Sequence, residues 1–325
     1  MQKDLSRRGF LGAAAGTGAA LAAGGALAPA AGAHKRRGRH GHGHGHGHGA
    51  TNHVPKNRRG IQLYTLRDAM TNQAEATSVL NALGRMGYTE VETAGHYDWT
   101  AKQFRSVLKR AGLRAVSGHD GPDHDLANAN WKSSYEETLE YAAELGQKFT
   151  GFAWFPEPRP VEKFQGLAER FNEAGALAKE YGLQFFYHNH DFEFTTKQAD
   201  GTPVYDLLLA ETEPDLVMFE LDLYWIIYGN ENPLAYLSEH ADRFFAYHVK
   251  DRVWKDRPDA DDFEDAGPGR IDFPDIFAVG DDGPDKHYFI EHDQPLLSHP
   301  DLGTPQAQLT TAKVGIQFLQ EVTWK

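Results

Sequence analysis

The chain has 325 residues, enough for one large α/β domain, and its apolar content of 40% is ordinary for a folded globular protein. It contains no cysteine, which excludes disulfides, thiolate catalysis and cysteine-ligated zinc. The charge is unevenly distributed: residues 60–325 contain 23 basic and 45 acidic residues, whereas residues 34–59 contain seven Lys or Arg and no acid. Because so acidic a body repels a phosphate backbone, we expect it not to bind nucleic acid.

The first 33 residues resemble an export signal rather than part of a fold. Paired arginines in SRRGFLG, residues 6–12, precede a weakly apolar run rich in Ala and Gly, as in a twin-arginine signal. The run is too rich in glycine to favour a membrane anchor. The sequence therefore predicts an exported protein, periplasmic or extracellular, with no membrane association once the signal is removed.

Residues 34–58 are predicted to be a basic, disordered linker. Histidine alternates with glycine from His40 to His48, a pattern that cannot bury a core. The imidazoles could capture Zn, Ni or Cu ions, or the tract could be a plain solvated linker. We expect the ordered domain to start at Arg59.

From residue 60 onward, short β-rich runs alternate with amphipathic helical stretches, several of which end in Gly just before the next run. The runs predicted as strands are 60–66, 88–93, 114–118, 149–155, 183–188, 216–222, 244–250 and 288–291. Eight strands with helices between them predict a single (β/α)₈ TIM barrel over residues 59–325, with an open doubly wound sheet as the alternative. No glycine-rich phosphate loop follows the first strand, which argues against a nucleotide site.

Polar side chains cluster at the C-terminal ends of the predicted strands, where such a barrel carries its active site. The fifth strand runs into FFYHNHDFEF, in which histidines, Asn, Asp and Glu interrupt an apolar run. At the ends of strands six, seven and eight, two polar residues share one face by the two-residue period of a strand. These pairs are Glu220 and Asp222, His248 and Lys250, and Glu291 and Asp293. Carboxylates and an imidazole from three successive strands predict a metal site or, alternatively, a buried charge network.

Six motifs in this order resemble the sugar phosphate isomerase/epimerase family with the xylose isomerase-like barrel. They are GIQLYTLRD, YHNHDFEF, ELDLYW, HVKD, GPGRIDFPDIF and FIEHD, and the resemblance covers roughly residues 59–324. It implies a divalent metal, Mn, Co, Mg or Zn, at the barrel mouth and a small-molecule sugar as the partner.

The resemblance also implies a set of metal ligands. In the ketose 3-epimerases of this superfamily, a Glu, an Asp, a His and a Glu from strands five to eight hold the metal. The last three match Asp222, His248 and Glu291. A histidine that follows the strand-six Asp in those enzymes is Trp225 here, which offers an apolar wall for a sugar ring or, equally, core packing.

Strand five departs from the family pattern. When the Phe-Glu pair of YHNHDFEF is aligned with the epimerases, Tyr187 stands where the first Glu belongs. We predict His190 as the fourth ligand and keep His188 and Glu220 as alternatives. The sequence does not distinguish a histidine that binds the metal from one that only hydrogen-bonds to a metal ligand.

Other residues at the strand ends are candidates for catalysis and for substrate contacts. A base must reach an α-proton of the substrate, and a cation can hold a developing oxyanion. The predicted catalytic residues are Glu291, Glu220, His188 and Lys250. The predicted substrate contacts are Tyr64, Arg67, Glu193 and Trp225. For Glu220 the structural alternative is an ion pair with Lys250, and for Lys250 it is an ion pair with Asp251 or Glu220.

These features predict a metal-dependent sugar isomerase or epimerase that acts through an enediolate on a free sugar or a keto-sugar. The departure at strand five keeps two alternatives open: a 3-keto-glycoside lyase or hydratase using the same site, and a non-catalytic, metal-bearing sugar-binding protein. The acidic body and the export signal disfavour the endonuclease branch of the superfamily. A homo-oligomer is compatible with the sequence.

Overall fold

A computed structural model describes residues 51–254, 262–281 and 285–325 of the chain. Eight parallel strands form one sheet that curls into a nearly closed barrel, in the order β3-β2-β1-β8-β7-β6-β5-β4. The strands are β1 Arg59–Gln62, β2 Glu90–Thr93, β3 Arg114–Gly118, β4 Phe149–Phe152, β5 Gln184–His188, β6 Val217–Asp222, β7 Phe244–Val249 and β8 His287–Ile290. A hydrogen bond of 2.8 Å from Lys148 N to Val116 O bridges the seam between β3 and β4. The predicted barrel is confirmed, and the doubly wound alternative is wrong.

Helices fill the connections between the strands. They are α1 Gln73–Met86, α2 Ala101–Ala111, α3 Trp131–Leu145, α4 Val161–Glu180, α5 Phe192–Thr195, α6 Val204–Glu211, α7 Leu223–Tyr228, α8 Pro233–His240, α9 Phe273–Gly280 and α10 Thr304–Glu321. The first three end, as the sequence predicts, on glycines with positive φ: Gly87, Gly112 and Gly146. In the part of the chain that the structure describes, no helix has both the length and the apolar character needed to cross a bilayer.

Shorter elements complete the described chain. Three 3₁₀ helices are Lys56–Arg58, Leu63–Ala69 and Ala241–Arg243. Two antiparallel pairs join Asn52–His53 to Thr323–Trp324 and Asp251–Arg252 to Phe263–Glu264.

An aromatic layer fills the barrel below its polar mouth. Phe186, Phe245 and Phe289 come from β5, β7 and β8 and are all buried. Glycines opposite them make room: a Cβ on Gly60 would lie 2.3 Å from the Phe289 ring, and one on Gly151 would lie 2.2 Å from the Phe186 ring. The layer is therefore a packed floor under the polar side chains.

The structure differs from the prediction at the first strand, which ends at Gln62 instead of continuing to residue 66. The Gln62 side chain accepts a hydrogen bond of 3.1 Å from Tyr64 N, and the chain turns into the 3₁₀ helix Leu63–Ala69. Tyr64 and Arg67 consequently lie on a turn after β1 rather than on the strand.

The domain boundary also differs. The predicted linker extends to residue 58, but a strand at Asn52–His53 and a 3₁₀ helix at Lys56–Arg58 precede β1, and Val54 between them is fully buried. The predicted signal, residues 1–33, and the remainder of the predicted linker up to residue 50 lie outside the described residues.

Candidate metal centre

Three predicted ligands meet at the mouth of the barrel. Asp222 ends β6, His248 lies on β7 and Glu291 directly follows β8. His248 Nδ1 lies 2.7 Å from Glu291 Oε2 and 3.8 Å from Asp222 Oδ2. Asp222 Oδ1 accepts hydrogen bonds from the backbone N–H groups of Tyr224 and Trp225, at 3.0 and 2.9 Å, because Asp222 caps α7. That cap fixes the carboxylate so that Oδ2 faces the other two side chains.

Lys250 lies in the same place and balances the acids. Its Nζ is 3.0 Å from Asp222 Oδ2 and 2.9 Å from Glu291 Oε2. It is also 3.0 Å from Asp293 Oδ2. Burial by itself lowers the pKa of Lys250, but the three carboxylates outweigh it and hold this pKa well above the usual value. Lys250 is therefore an ammonium and a hydrogen-bond donor, not a base.

The acids around Lys250 respond differently to their surroundings. Burial raises the pKa of Asp222 to about 6, although Lys250 and His248 oppose the shift. Burial also acts to raise the pKa of Glu291, but there Lys250 and His248 prevail and keep it well below the usual value. Glu291 is accordingly the more firmly ionised of the two.

A second polar group lies deeper in the barrel and contains two residues that the sequence analysis missed, Glu92 on β2 and His119 after β3. His119 Nε2 lies 2.9 Å from Glu92 Oε1 and 3.4 Å from Glu220 Oε2. His248 Nε2 lies 2.8 Å from the same Glu92 oxygen, and Gln62 Nε2 donates to it at 2.7 Å. Both missed residues stand at or just after the ends of correctly predicted strands, and that position was the available signal.

The deep group pairs buried carboxylates with histidines. Burial lowers the pKa of His119, but the charges of Glu92 and Glu220 outweigh it and raise this pKa to about 10. Burial likewise acts to lower the pKa of His248, and Glu220 and Glu291 reverse the effect. Burial lowers the pKa of His188 well below the usual value, and the neighbouring His248 and His119 add to the shift. His119 and His248 therefore carry the positive charge of this group, and His188 is neutral.

The donors at the mouth fit a divalent cation. Asp222, His248 and Glu291 each offer one atom, and these atoms lie within 4.8 Å of one another. Imidazole and carboxylate donors suit Mn, Co and Zn, and the carboxylates also suit Mg. All three side chains are buried, and two carboxylates already surround the positive charge of Lys250. These residues can hold the cation that the family resemblance implies.

His190, the predicted fourth ligand, lies next to His188, with ring centroids 5.0 Å apart. Its ring stacks on Phe192 with centroids 5.5 Å apart and lies 5.6 Å from the Trp225 ring. Across the described residues, neither potential ligand group contains His190, and His188 belongs to the deeper one, with His119, Glu220 and His248. Trp225 in turn packs below the Lys250 ammonium, 5.4 Å from Nζ to the ring centroid. The structure thus places Trp225 beside the centre, and the roles of His190 and Trp225 stay predictions.

Glu193, a predicted substrate contact, lies inside the protein, and its contact with substrate stays a prediction. It is fully buried, one oxygen accepts from the Tyr187 hydroxyl and the other accepts from His190 N at 2.9 Å. Both carboxylate oxygens therefore have hydrogen-bond partners inside the protein. Tyr187 reaches Glu193 because its side chain faces away from the barrel interior, toward α5. Glu193 thereby ties the end of β5 to the turn at His190.

Tyr64 and Arg67 approach the centre beside the backbone of the segment that follows β8. Arg67 donates to Asp293 O at 2.6 Å and to Tyr64 O at 3.0 Å, and its guanidinium lies 4.2 Å from the Tyr64 ring centroid. These contacts place both residues beside Asp293, and their substrate contacts stay predictions.

Comparisons with known proteins agree with the fold. The model of the xylose isomerase-like TIM barrel family matches residues 80–314. The inosose dehydratase of Geobacillus kaustophilus is 25% identical over 233 residues, which cover 62% of this chain and 74% of that relative. A sugar phosphate isomerase/epimerase structure from Parabacteroides distasonis is 26% identical with a TM-score of 0.67, covering 82% of this chain and 94% of that one.

A zinc-bound IolI protein shares the fold at 14% identity, with a TM-score of 0.63 over 81% of this chain and 98% of that one. The family model spans well over half of the sequence, including every strand from β2 to β8. The chain therefore belongs to the xylose isomerase-like TIM barrel family.

Proposed function

We propose that this protein is a divalent-metal-dependent lyase that removes water, or another group in the β position, from a keto-sugar or a keto-cyclitol. The observation that carries the proposal is the group of Asp222, His248, Glu291 and Lys250 at the barrel mouth. The relatives named inosose dehydratase supply the reaction class, because an inosose is a ketone of a ring polyol.

The reaction needs acid–base chemistry and no oxidant. The C–H bond next to the ketone breaks and its proton goes to a base. The electron pair left behind forms a C=C bond as the β C–O bond breaks, and the leaving oxygen takes a proton and departs as water. A divalent cation held by Asp222, His248 and Glu291 would polarise the ketone and an adjacent hydroxyl.

Three side chains suit the remaining roles. Lys250 is held as an ammonium and can donate to the substrate oxygen on which negative charge develops. Asp293 contacts Lys250 and its side chain is 23% exposed, so it is our candidate for the base. His119 is 15% exposed and paired with two carboxylates, so it can supply the proton to the leaving oxygen.

Isomerisation or epimerisation is the second candidate, because all these reactions begin with the same proton removal. The Parabacteroides distasonis neighbour supports this class. A two-carboxylate proton relay of the epimerase kind needs a Glu on strand five, where this chain has Tyr187 and His188. That substitution favours elimination over epimerisation.

The test is an assay with an inosose, a 3-keto-glucoside and a free ketose, each with EDTA or with added Mn²⁺ or Co²⁺. We expect loss of water or of the aglycone, seen as new ultraviolet absorbance of an unsaturated or 1,2-dicarbonyl product, and only with metal. Lys250→Met should lower kcat/KM at least 100-fold, whereas the exposed control Lys132→Met should leave it unchanged.

Three outcomes would contradict the lyase proposal. If NMR in deuterated water detects epimerised sugar and no elimination product, the second candidate is favoured. Tight sugar binding with neither turnover nor deuterium uptake would indicate a binding protein. Turnover that survives complete metal removal would exclude the metal-dependent mechanism.

We also propose that the enzyme works outside the cytoplasm, because SRRGFLG begins a twin-arginine-type segment. Fractionation of the native host would find it in the exported fraction, and replacement of Arg7 and Arg8 by Lys would retain it in the cytoplasm. An unchanged distribution would refute export by this route.

A further inference from the structure

Glu220 lies between two histidines of the barrel interior. Its Oε2 is 3.0 Å from His188 Nδ1 and 3.0 Å from His248 Nε2. All three side chains are buried, with side-chain exposures of 2% or less. The two imidazole rings have centroids only 4.5 Å apart, yet they belong to β5 and β7. One carboxylate oxygen therefore contacts both rings from below.

This contact selects the tautomer of each ring. A carboxylate accepts hydrogen bonds, so the nitrogen that faces Glu220 carries the hydrogen in a neutral imidazole. When the ring is neutral, the other nitrogen can offer its lone pair: Nε2 of His188, and Nδ1 of His248, where a cation would take the place of the contact that Nδ1 makes with Glu291 Oε2 at 2.7 Å. Glu92 repeats the arrangement for His248, because its Oε1 lies 2.8 Å from the same Nε2.

The two nitrogens that do not face Glu220 approach the same carboxylate oxygen. His188 Nε2 lies 4.0 Å from Asp222 Oδ2, and His248 Nδ1 lies 3.8 Å from the same oxygen. Ligand atoms bound at about 2.1 Å to a tetrahedral zinc lie roughly 3 to 4 Å apart. Both separations are therefore compatible with a shared cation next to Asp222.

We propose that His188 is the strand-five ligand of the metal centre and that Glu220 is a positioning residue that orients His188 and His248 toward the same cation. The inference rests on the metal centre of the proposed function, but not on the reaction. It assigns Glu220 a role different from catalysis, and it replaces His190 as the fourth ligand. His190 keeps a buried Nδ1 without a partner in the described structure, and its ring, 5.0 Å from the His188 ring, stacks on Phe192.

Metal binding, measured without substrate, tests the inference independently of turnover. The full chain is titrated with Co²⁺ against a competing chelator, and the visible absorption of bound Co²⁺ reports the number of nitrogen ligands. The imidazoles at alternate positions from His40 to His48 can also capture metal, so the Asp222→Asn chain serves as the reference for that background.

The matched pair His188→Gln and His190→Gln decides which histidine is the ligand. We expect His188→Gln to weaken Co²⁺ binding at the centre by at least about 100-fold and to change the spectrum. We expect His190→Gln to change affinity less than about 3-fold. The reverse result, or equal losses in both variants, would overturn the assignment.

Glu220→Gln tests the positioning role. We expect affinity to fall by about 10- to 100-fold, as for other groups that orient metal ligands, with one cation per centre and two nitrogen ligands retained. An unchanged affinity in a folded variant would overturn the role of Glu220. So would a parent chain that binds two cations inside the barrel and loses one in this variant, because Glu220 would then be a ligand itself. If Glu220→Gln does not fold, Glu220→Asp supplies the same measurement.

Discussion

Glu193 lies close to the candidate metal centre, and its contacts stabilise the fold. Nothing in YHNHDFEF separates a carboxylate that contacts substrate from one that holds the strand end, because both need a polar residue at this point. In the structure, Glu193 holds the strand end, since Tyr187 and His190 N contact both oxygens of a fully buried side chain. We therefore expect the protonation of Glu193 to affect the stability of the folded protein.

We predict that Glu193→Gln weakens the pH dependence of stability. Burial raises the pKa of Glu193 from 4.5 to about 8, so the folded protein keeps a proton that the unfolded chain releases between those values. The stability linked to this proton is present in full below about pH 4.5, declines as the pH rises, and is lost once the pH passes about 8. Each pKa unit corresponds to about 1.4 kcal/mol. Gln has the shape of the protonated acid, so the variant should lose less stability than the parent between pH 5 and 9.

Urea unfolding at pH 5, 7 and 9 measures this difference. Glu140→Gln, an exposed change on α3, is the control and should follow the parent at every pH. Parallel curves for the parent and Glu193→Gln would show that Glu193 is ionised in the folded protein.

At the scale of the strands, the barrel floor depends on a pairing of small and large residues. Gly60 and Gly151 lie on β1 and β4, and each leaves the room that a phenylalanine on another strand occupies. The sequence predicts both strands from their apolar residues, but it does not reveal which phenylalanine fills which space. That pairing depends on the register of the closed sheet, in which Gly151 lies opposite Phe186.

We predict that Gly151→Ala destabilises the protein by about 1–3 kcal/mol, because the new Cβ would overlap the Phe186 ring. Gly303→Ala, at the start of α10, is the matched control. There the nearest atom is the flexible end of Gln306, and the loss of an N-cap glycine should cost less than about 1 kcal/mol. Equal effects in chemical denaturation would contradict the overlap.

At the scale of the whole molecule, the sequence predicts the strands and helices that alternate along the chain. It does not predict the contacts that form only when the sheet closes into a barrel. The alternation of strands and helices predicts the barrel, and the two-residue period places Asp222, His248 and Glu291 at its mouth. The contact of His119 with Glu220 joins residues 101 positions apart, and it exists only because the sheet closes on itself. Similarly, the choice between His188 and His190 depends on where β5 ends relative to β6, which no local pattern specifies.

The same closure explains why the N-terminal boundary lies earlier than the composition of the chain suggests. The composition of a basic segment without an apolar run indicates a linker. Residues 51–58 nevertheless contact residues near the C-terminal end of the chain. Asn52 and His53 pair with Trp324 and Thr323, and Arg58 lies 2.6 Å from a ring nitrogen of His287 on β8.

We predict that a chain starting at residue 51 keeps the thermal stability of the parent, whereas a chain starting at residue 59 melts at least about 5 °C lower. The longer deletion removes Val54, whose full burial contributes about 1.5–3 kcal/mol, and the strand that pairs with Thr323–Trp324. Calorimetry of both truncated chains, with and without Co²⁺, measures the difference. If they melt together, residues 51–58 are linker as the composition indicates; if only the shorter chain is weakened, the N-terminal segment is part of the barrel domain that holds the metal centre.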